Sequence, residues 1–338
     1  MRRRSGHCSV RDRGLIALLV LALCLALVLG VATGPFTLSP GQIFATLTGG
    51  GDMQSQIVLW NIRLPRVLAA LIIGAALAAS GAAFQTAFRN PLVSPDILGV
   101  SVGAGFGAVL GILLGLPVLL IQLSGFAAGL GVVALVLLLS LSLQPGGDAL
   151  VMVLCGIAIS ALAGSGIALV KLLADPEQQL PAITFWLMGS LAGVKRNDIW
   201  LALPPILLGF IPLLLLRWRI GLLALGDDEA RSMGVAAGKM RLLVILCATL
   251  MTAAAVSLSG VIGWIGLMVP HMARMISSPR FDRLLPVATL LGAGFMVLVD
   301  TLARSIASTE VPLGILTAVL GAPLFVWILA RQNTMVAP

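Results

Sequence analysis

Charged residues are scarce in this chain: only 10% of its 338 residues are Asp, Glu, Lys or Arg, and 59% are hydrophobic. Soluble globular proteins carry about 25% charged residues. Long stretches have none at all, notably residues 97–147 and 242–270. A membrane-spanning helix needs about 20 apolar residues. The scarcity of charge therefore excludes a water-soluble protein and predicts a polytopic helical membrane protein.

The apolar runs, and the Gly and Pro residues that interrupt them, predict an all-α fold of about ten transmembrane helices. Gly115 and Pro117 divide the longest run, and the glycines of segment 260–263 divide the region 242–276. The predicted spans are residues 14–34, 64–86, 97–115, 119–142, 149–171, 199–216, 241–259, 262–276, 284–303 and 311–330. We interpret 1–338 as one transmembrane domain, with a basic N-terminal segment at 1–13 and a cytoplasmic loop at 217–240.

Positive charge indicates the orientation, because cytoplasmic loops of membrane proteins are enriched in Lys and Arg. With the N-terminus in the cytoplasm, fifteen of the 21 Lys and Arg residues fall on the cytoplasmic side and six on the outer side. This topology places both termini in the cytoplasm. The net charge of +8 does not indicate a nucleic-acid partner, because no basic helix or groove lined with aromatic residues accompanies it. The expected surroundings are membrane lipid.

Charged residues are missing from the middle of the predicted spans. Asp300 and Arg304 lie four residues apart near the outer end of their helix, where they can pair with each other. Ion-coupled carriers commonly use embedded acids or unwound helices. The absence therefore disfavours an ion-coupled secondary transporter, although coordination by backbone carbonyls stays open.

Catalytic and metal-binding side chains are also few. His271 is the only histidine in the membrane region, and nothing in the sequence brings it to Ser165, the candidate nucleophile between two glycines. The four cysteines are scattered without the spacing of a metal site. An intramembrane hydrolase is therefore a weak alternative, and the sequence predicts neither a bound metal nor a cofactor.

A dense patch of charge of both signs lies in the segment LGDDEARSMGVAAGKMR, residues 225–241. Its three adjacent acids suit the start of a helix, where carboxylates face the positive end of the helix dipole, and Gly234 suits the helix end. Gly238 and Lys239 do not complete a phosphate-binding loop. That motif has four residues between its two glycines and a Ser or Thr after the lysine, whereas here three residues separate Gly234 from Gly238 and Met240 follows Lys239. This cytoplasmic helix is either a docking element for a partner or a solvated loop helix.

Arginine also occurs on the predicted outer side, against the usual bias. Arg63 and Arg66 flank Pro65 in the segment NIRLPR, and Arg304 lies on the same side by topology. Exposed cations in this position are candidates to bind an acidic partner, although one exposed ion pair contributes only about 0–1 kcal/mol.

Three long segments stand in order along the chain: RLPRVLAALIIGAALAASGAAFQTAFRNPLVSPDILG, then GWIGLMVPHMARM followed by RLLP, then EVPLGILTAVLGAPLF. Together they resemble the signatures of the FecCD-type permeases of ABC importers, which carry iron-siderophores, haem and cobalamin. Segment 225–234 is similar to the family's cytoplasmic loop, with Met233 in place of a leucine. Trp264 and Phe281 also depart from the family's usual residues. The resemblance extends from about Val31 to Arg331.

The resemblance implies a ten-helix subunit that works as a dimer, with a homodimer as the first expectation, an ATPase under each copy and a substrate-binding protein docked outside. It also implies three sets of site residues. The ATPase-coupling set is Leu225, Gly226, Asp227, Asp228, Glu229, Ala230 and Gly234. The binding-protein docking set is Arg63, Arg66 and Arg304, and the translocation-gate set is Asn90, Pro91, Leu92, Asp148 and Ala149.

The function expected from this resemblance is the permease subunit of a metal-chelate importer in the bacterial inner membrane. It would work by alternating access driven by the partner ATPase, without catalytic residues of its own. A ferric siderophore is the preferred substrate, with haem or cobalamin as alternatives. The alternatives stay open because the lining residues of such vestibules are small and apolar across many substrates. A secondary transporter and an intramembrane enzyme are the rival classes.

Overall fold

The computed structural model describes residues 10–34, 36, 38–144, 149–307 and 309–336, and every regular element in these ranges is helical. Seven of the described helices are long and apolar enough to cross a membrane, and three shorter apolar helices accompany them. Each of the ten predicted spans therefore holds an apolar helix, and the all-α prediction is confirmed. Their observed bounds are α1 Val10–Ala32, α4 Leu64–Ala87, α5 Val100–Leu113, α6 Val118–Leu143, α7 Ala149–Leu173, α9 Arg196–Leu215, α12 Ala237–Ser259, α13 Ile265–Ile276, α14 Phe281–Ala303 and α15 Leu313–Val336.

Five shorter helices connect these spans. On one side lie α2 (Pro40–Leu47), α3 (Met53–Gln56) and α8 (Gln179–Met188), and on the other lie α10 (Arg217–Leu222) and α11 (Asp227–Ser232). α3 runs through a π-helical stretch, Ile57–Arg63, directly into α4. The continuous helix of 35 residues is about 52 Å long at 1.5 Å per residue. It therefore extends well beyond a hydrocarbon core of about 30 Å.

α4 is the central helix of the bundle. It packs against α14, α12, α13 and α9, and 14 of its residues in 73–87, all but Ala75, are buried and are mainly Ala, Gly and Ser. By contrast α1 is mostly uncovered, with Leu18 61% and Val28 65% exposed. Since lipid takes the place of water around such helices, the uncovered apolar side chains are the lipid-contacting surface.

Glycine lets the backbones around α4 touch. A Cβ on Gly74 would lie 2.2 Å from the carbonyl oxygen of Gly292 in α14, and a Cβ on Gly81 would lie 1.9 Å from that of Gly266 in α13. In lipid no hydrophobic driving force brings helices together, because the lipid tails are as apolar as the side chains. Helices therefore associate through close packing, which small residues allow. The small-residue run of α4 is thus required by close packing.

The helix ends form two faces that the following sections use. The coupling face carries α10, α11 and the ends of α4 and α14 at Ala87 and Phe281. The arginine face carries Arg63, Arg66 and Arg304 together with α2, α3 and α8. Charged residues gather at these two faces, and the spans between them are apolar.

We expect Gly81→Val to destabilise the bundle by more than the 1–3 kcal/mol typical of overpacking, because the added atoms meet backbone that cannot move aside. Thermal unfolding of the detergent-purified chain measures the effect. Gly131→Val is the matched control, since a Cβ at that helical position meets no atom within 4 Å. Equal melting temperatures for the two variants would contradict the packing described for α4.

Candidate coupling and docking sites

The charged segment forms the short helix α11, as the sequence predicts. Its three acids fill the first turn, and Gly226 before it (φ +129) and Gly234 after it (φ +80) adopt backbone angles that favour glycine. Ala230 is fully buried and holds one side of the helix against the bundle. The opposite side is open: Leu225 is 55% and Met233 60% exposed, and Asp228, Glu229 and Ser232 are exposed between them.

Asp227 fixes α11 to the bundle. Its Oδ1 accepts a hydrogen bond of 2.7 Å from Nη2 of Arg241, in the first turns of α12. The same arginine donates from Nε to the carbonyl oxygen of Ala87, the last residue of α4. α11 is therefore linked to the ends of two central helices. Asp228, in contrast, pairs with Arg231 of the same helix on the exposed surface, at 3.2 Å.

The predicted gate segment lies beside this anchor. Asn90, Pro91 and Leu92 are exposed just after α4, and Oδ1 of Asn90 accepts the backbone N–H of Leu92 in a tight turn. Arg89, which begins the turn with a left-handed backbone (φ 52), reaches Asp227 at 3.8 Å. Of the second predicted gate, Ala149 is the first residue of α7, while Asp148 lies outside the described residues.

The three arginines of the docking set are buried, and the expectation that they are exposed is wrong. Arg63 is 3%, Arg66 4% and Arg304 6% exposed. The reason is that the last carbonyl groups of α1 lack partners within the helix. Arg63 donates to Val31, Ala32 and Phe36 carbonyls, and Arg304 donates to Gly30 and Thr33 carbonyls.

Two acids complete this arginine cluster. Asp300, which is fully buried, accepts a 2.7 Å bond from Nε of Arg66 and lies 3.1 Å from Nε of Arg304. Arg66 also donates to Glu310 at 2.6 Å. The predicted pairing of Asp300 with Arg304 is confirmed. Because the side chain of Glu310 is 34% exposed, it is the part of the cluster that solvent or a partner can reach.

The two residues of the hydrolase alternative have other contacts. The hydroxyl of Ser165 donates to the carbonyl oxygen of Ala161 in its own helix, at 3.0 Å. The ring of His271 packs edge-on against Phe325 of α15, with 6.1 Å between ring centroids. The ring contact joins α13 to α15, and the hydroxyl bond stays within α7.

Comparison with known proteins places the chain in a family. The family model of the FecCD transport family matches residues 18–331. The chain belongs to the FecCD transport family.

Similar proteins cover nearly the whole FecCD chain. A molybdate import system permease of Haemophilus influenzae is 40% identical over 312 residues, which are 91% of this chain and 92% of that protein. A hemin transport system permease of Yersinia pestis is 39% identical over 325 residues, covering 93% and 95%. A solved structure of an inward-facing, metal-chelate type ABC transporter superposes with a TM-score of 0.87 at 39% identity, covering 94% of this chain and 99% of that one. The FecCD chain is thus a permease subunit of an ABC transporter, and the fold prediction is confirmed.

Three contacts at the coupling face of the FecCD chain leave no specific signal in its sequence. Arg241 and Arg89 hold Asp227, but their sequence positions, 14 and 138 residues away, carry no periodic signal. Nor does the sequence show that Nη2 of Arg274 bonds Oε1 of Gln85 at 2.5 Å, which ties α13 to the end of α4. The one available signal is the rarity of charge itself, because a cation at the end of an apolar helix needs a partner or water.

We expect Asp300→Asn to destabilise the FecCD chain by about 3 kcal/mol, because it leaves two buried arginines without their shared negative charge. The change keeps the size of the side chain, so a packing defect is not the cause. Thermal unfolding in detergent measures it. Asp228→Asn, whose side chain is 92% exposed, should leave the melting temperature unchanged; an equal loss in both variants would contradict a buried charge network.

Proposed function

We propose that this FecCD chain is the translocating subunit of a metal-chelate importer of the bacterial inner membrane, with a ferric siderophore as the first candidate substrate. The observation that carries the proposal is α11: an exposed, charged helix held rigidly against the ends of two central helices. Such a rigid exposed element suits contact with a separate motor protein. The chain itself supplies the path and performs no chemistry.

The proposed mechanism is alternating access. A cytoplasmic ATPase would contact the open side of α11, where Leu225 and Met233 offer apolar surface and Asp228 and Glu229 offer charge. Movement of α11 would pass through the Asp227–Arg241 pair to α12 and to Ala87 of α4. Arg89 connects the same carboxylate to the gate segment Asn90–Leu92. The motor-binding helix and the gate are thus joined by contacts of a few ångströms.

The remaining parts of the assembly follow from this orientation. The coupling face would be cytoplasmic with both termini, and the arginine face would receive a substrate-binding protein. Docking on Arg63, Arg66 and Arg304 stays a prediction of the family resemblance. Their burial adds a condition, because an incoming carboxylate would have to compete with Asp300 and Glu310 for Arg66. A second copy of the chain would complete the translocation path, with an ATPase under each copy.

The relatives carry chemically different cargoes by their names, so the substrate needs its own test. They include permeases for hemin, for Fe(3+) dicitrate and for molybdate. We expect the cognate external binding protein to bind a ferric chelate, measured by tryptophan fluorescence or calorimetry against ferric siderophores, haem, cobalamin and molybdate. Selective binding of molybdate would contradict the chelate while leaving the transport role intact.

The coupling role is tested by charge reversal on the open side of α11. We expect Asp228→Lys with Glu229→Lys to lower ATP-driven uptake about tenfold or more in vesicles that contain the permease, its ATPase and the external binding protein, since reversed charges at a docking surface cost several kcal/mol. Insertion and melting temperature should not change, because neither side chain is buried.

Glu177→Lys is the control for this test, because it reverses an exposed acid on the face opposite α11, and it should bind the ATPase as the unmodified protein does. Uptake at the level of the unmodified protein after reversal of Asp228 and Glu229 would contradict the docking role of α11. Loss of uptake in a variant whose membrane insertion and melting temperature are unchanged would support the docking role of α11.

A further inference from the structure

Two adjoining cavities lie near the arginine face, outside the coupling and arginine clusters. The first, of about 360 Å³, is lined by α6, α9 and α12. The second, of about 380 Å³, is lined by the ends of α5 and α6, by α8 and by the end of α12. They share Gln122, Ser257 and Leu258. We call them together the paired groove.

The groove exists because α6 and α9 both pack on α12 without packing closely on each other. Its floor is α12 at Leu250, Ala254 and Ser257. Pro204 and Pro205 line the wall formed by α9, and a proline in a helix removes a hydrogen bond and distorts the helix locally.

The walls of the groove show what surrounds it. Leu119 on α6 is 46% exposed, and Leu201 and Leu208 on α9 are 52% and 66% exposed. All three belong to membrane-spanning helices, so the groove opens toward the hydrocarbon region of the bilayer. Water in an apolar cleft at this depth would lack hydrogen-bond partners, and acyl chains are the material at hand to fill it.

The mouth of the groove is polar and positively charged. Gly193 and Val194 line the second cavity and Asp198 lines the first, so the segment between them, with Lys195 and Arg196, passes between the two openings. Both cations are exposed. The carboxylate of Asp198 accepts a hydrogen bond of 2.8 Å from the backbone N–H of Lys195. This bond holds the carboxylate against the start of its own helix.

On the arginine face, the exposed positive charge lies at the groove mouth. Of the six cations that the topology assigns to this side, Arg63, Arg66 and Arg304 are buried among partners within the chain. Lys195 and Arg196 are exposed at the groove mouth, and Lys171 is half-buried on α7. Trp200, one turn below Arg196, is 61% exposed, and exposed tryptophan marks the level of lipid headgroups.

We propose that the paired groove binds one phospholipid of the surrounding leaflet, with an acyl chain in each cavity and its phosphate at Lys195 and Arg196. The two cavities match the two chains of a phospholipid, and the two cations between their mouths match the phosphate that joins those chains. The bound lipid would complete the packing between α6 and α9 that the protein leaves open.

The test uses the full chain purified in mild detergent and equilibrated with mixed vesicles of phosphatidylethanolamine and phosphatidylglycerol. We expect native mass spectrometry to show one retained phospholipid per protomer, with phosphatidylglycerol preferred. Lys195→Ala with Arg196→Ala should lower that retention about tenfold, since both cations near the phosphate are lost. Lys171→Ala, a cation on the same side that lines neither cavity, should retain lipid as the unmodified protein does.

A photoreactive residue in place of Leu201 identifies what lies in the groove. Cross-linking to phospholipid is expected; cross-linking to a second copy of the chain would overturn the proposal. Excess inorganic phosphate should not displace the ligand, because the acyl chains and not the phosphate alone hold it. Retention that is unchanged in the cation variant, or absent in the unmodified protein, would also overturn it.

Discussion

The close backbone contact of α4 with α13 and α14 is the constraint on which the rest of the structure depends. Gly74 and Gly81 allow the approach, since a single Cβ at either position would overlap a carbonyl group of the neighbouring helix. Because α4 is held at the centre of the bundle, the positions of both its ends are also set. One end presents Arg63 and Arg66 to α1 and α14, and the other ends at Ala87, beside the gate segment and the anchor of α11.

The same electrostatic rule produces different structures at these two ends. A charge that leaves water must be paired or neutralised, and the arginine cluster meets this requirement with Asp300 and with the unpaired carbonyls of α1. Of the three acids of α11, Asp227 pairs with arginines outside the helix, whereas Asp228 pairs with Arg231 of the same helix and is exposed, as is Glu229. The acid that positions α11 against the bundle thus differs from the two acids that a partner can reach.

Much of this fold could be predicted from the sequence because membrane spans are set by simple hydropathy. Each of the ten predicted spans holds a helix, and the bounds of α11 follow from its acidic first turn and its flanking glycines. The burial of Arg63, Arg66 and Arg304 could not be predicted, since it depends on contacts between residues up to 274 positions apart. The positive-inside rule concerns arginines in exposed loops. The sequence alone does not distinguish such an arginine from a buried one that bonds the carbonyl groups at a helix end.

α12 connects the two ends of the molecule that the proposals concern. Its first turns carry Arg241, which holds α11, and its last turns form the floor of the paired groove. A continuous helix of 23 residues moves as a unit, so a lipid seated at one end contacts the same rigid body that the motor would move at the other.

Energetic coupling requires an element with two arrangements. The non-helical break after α12 is a suitable place for such an element, because Gly260 (φ 70) and Trp264 (φ 72) both have a positive φ there. For a bulky residue such as Trp264 this angle is strained. The ring of Trp264 packs edge-on against Phe325 of α15, so this strained residue connects the break after α12 to a third helix.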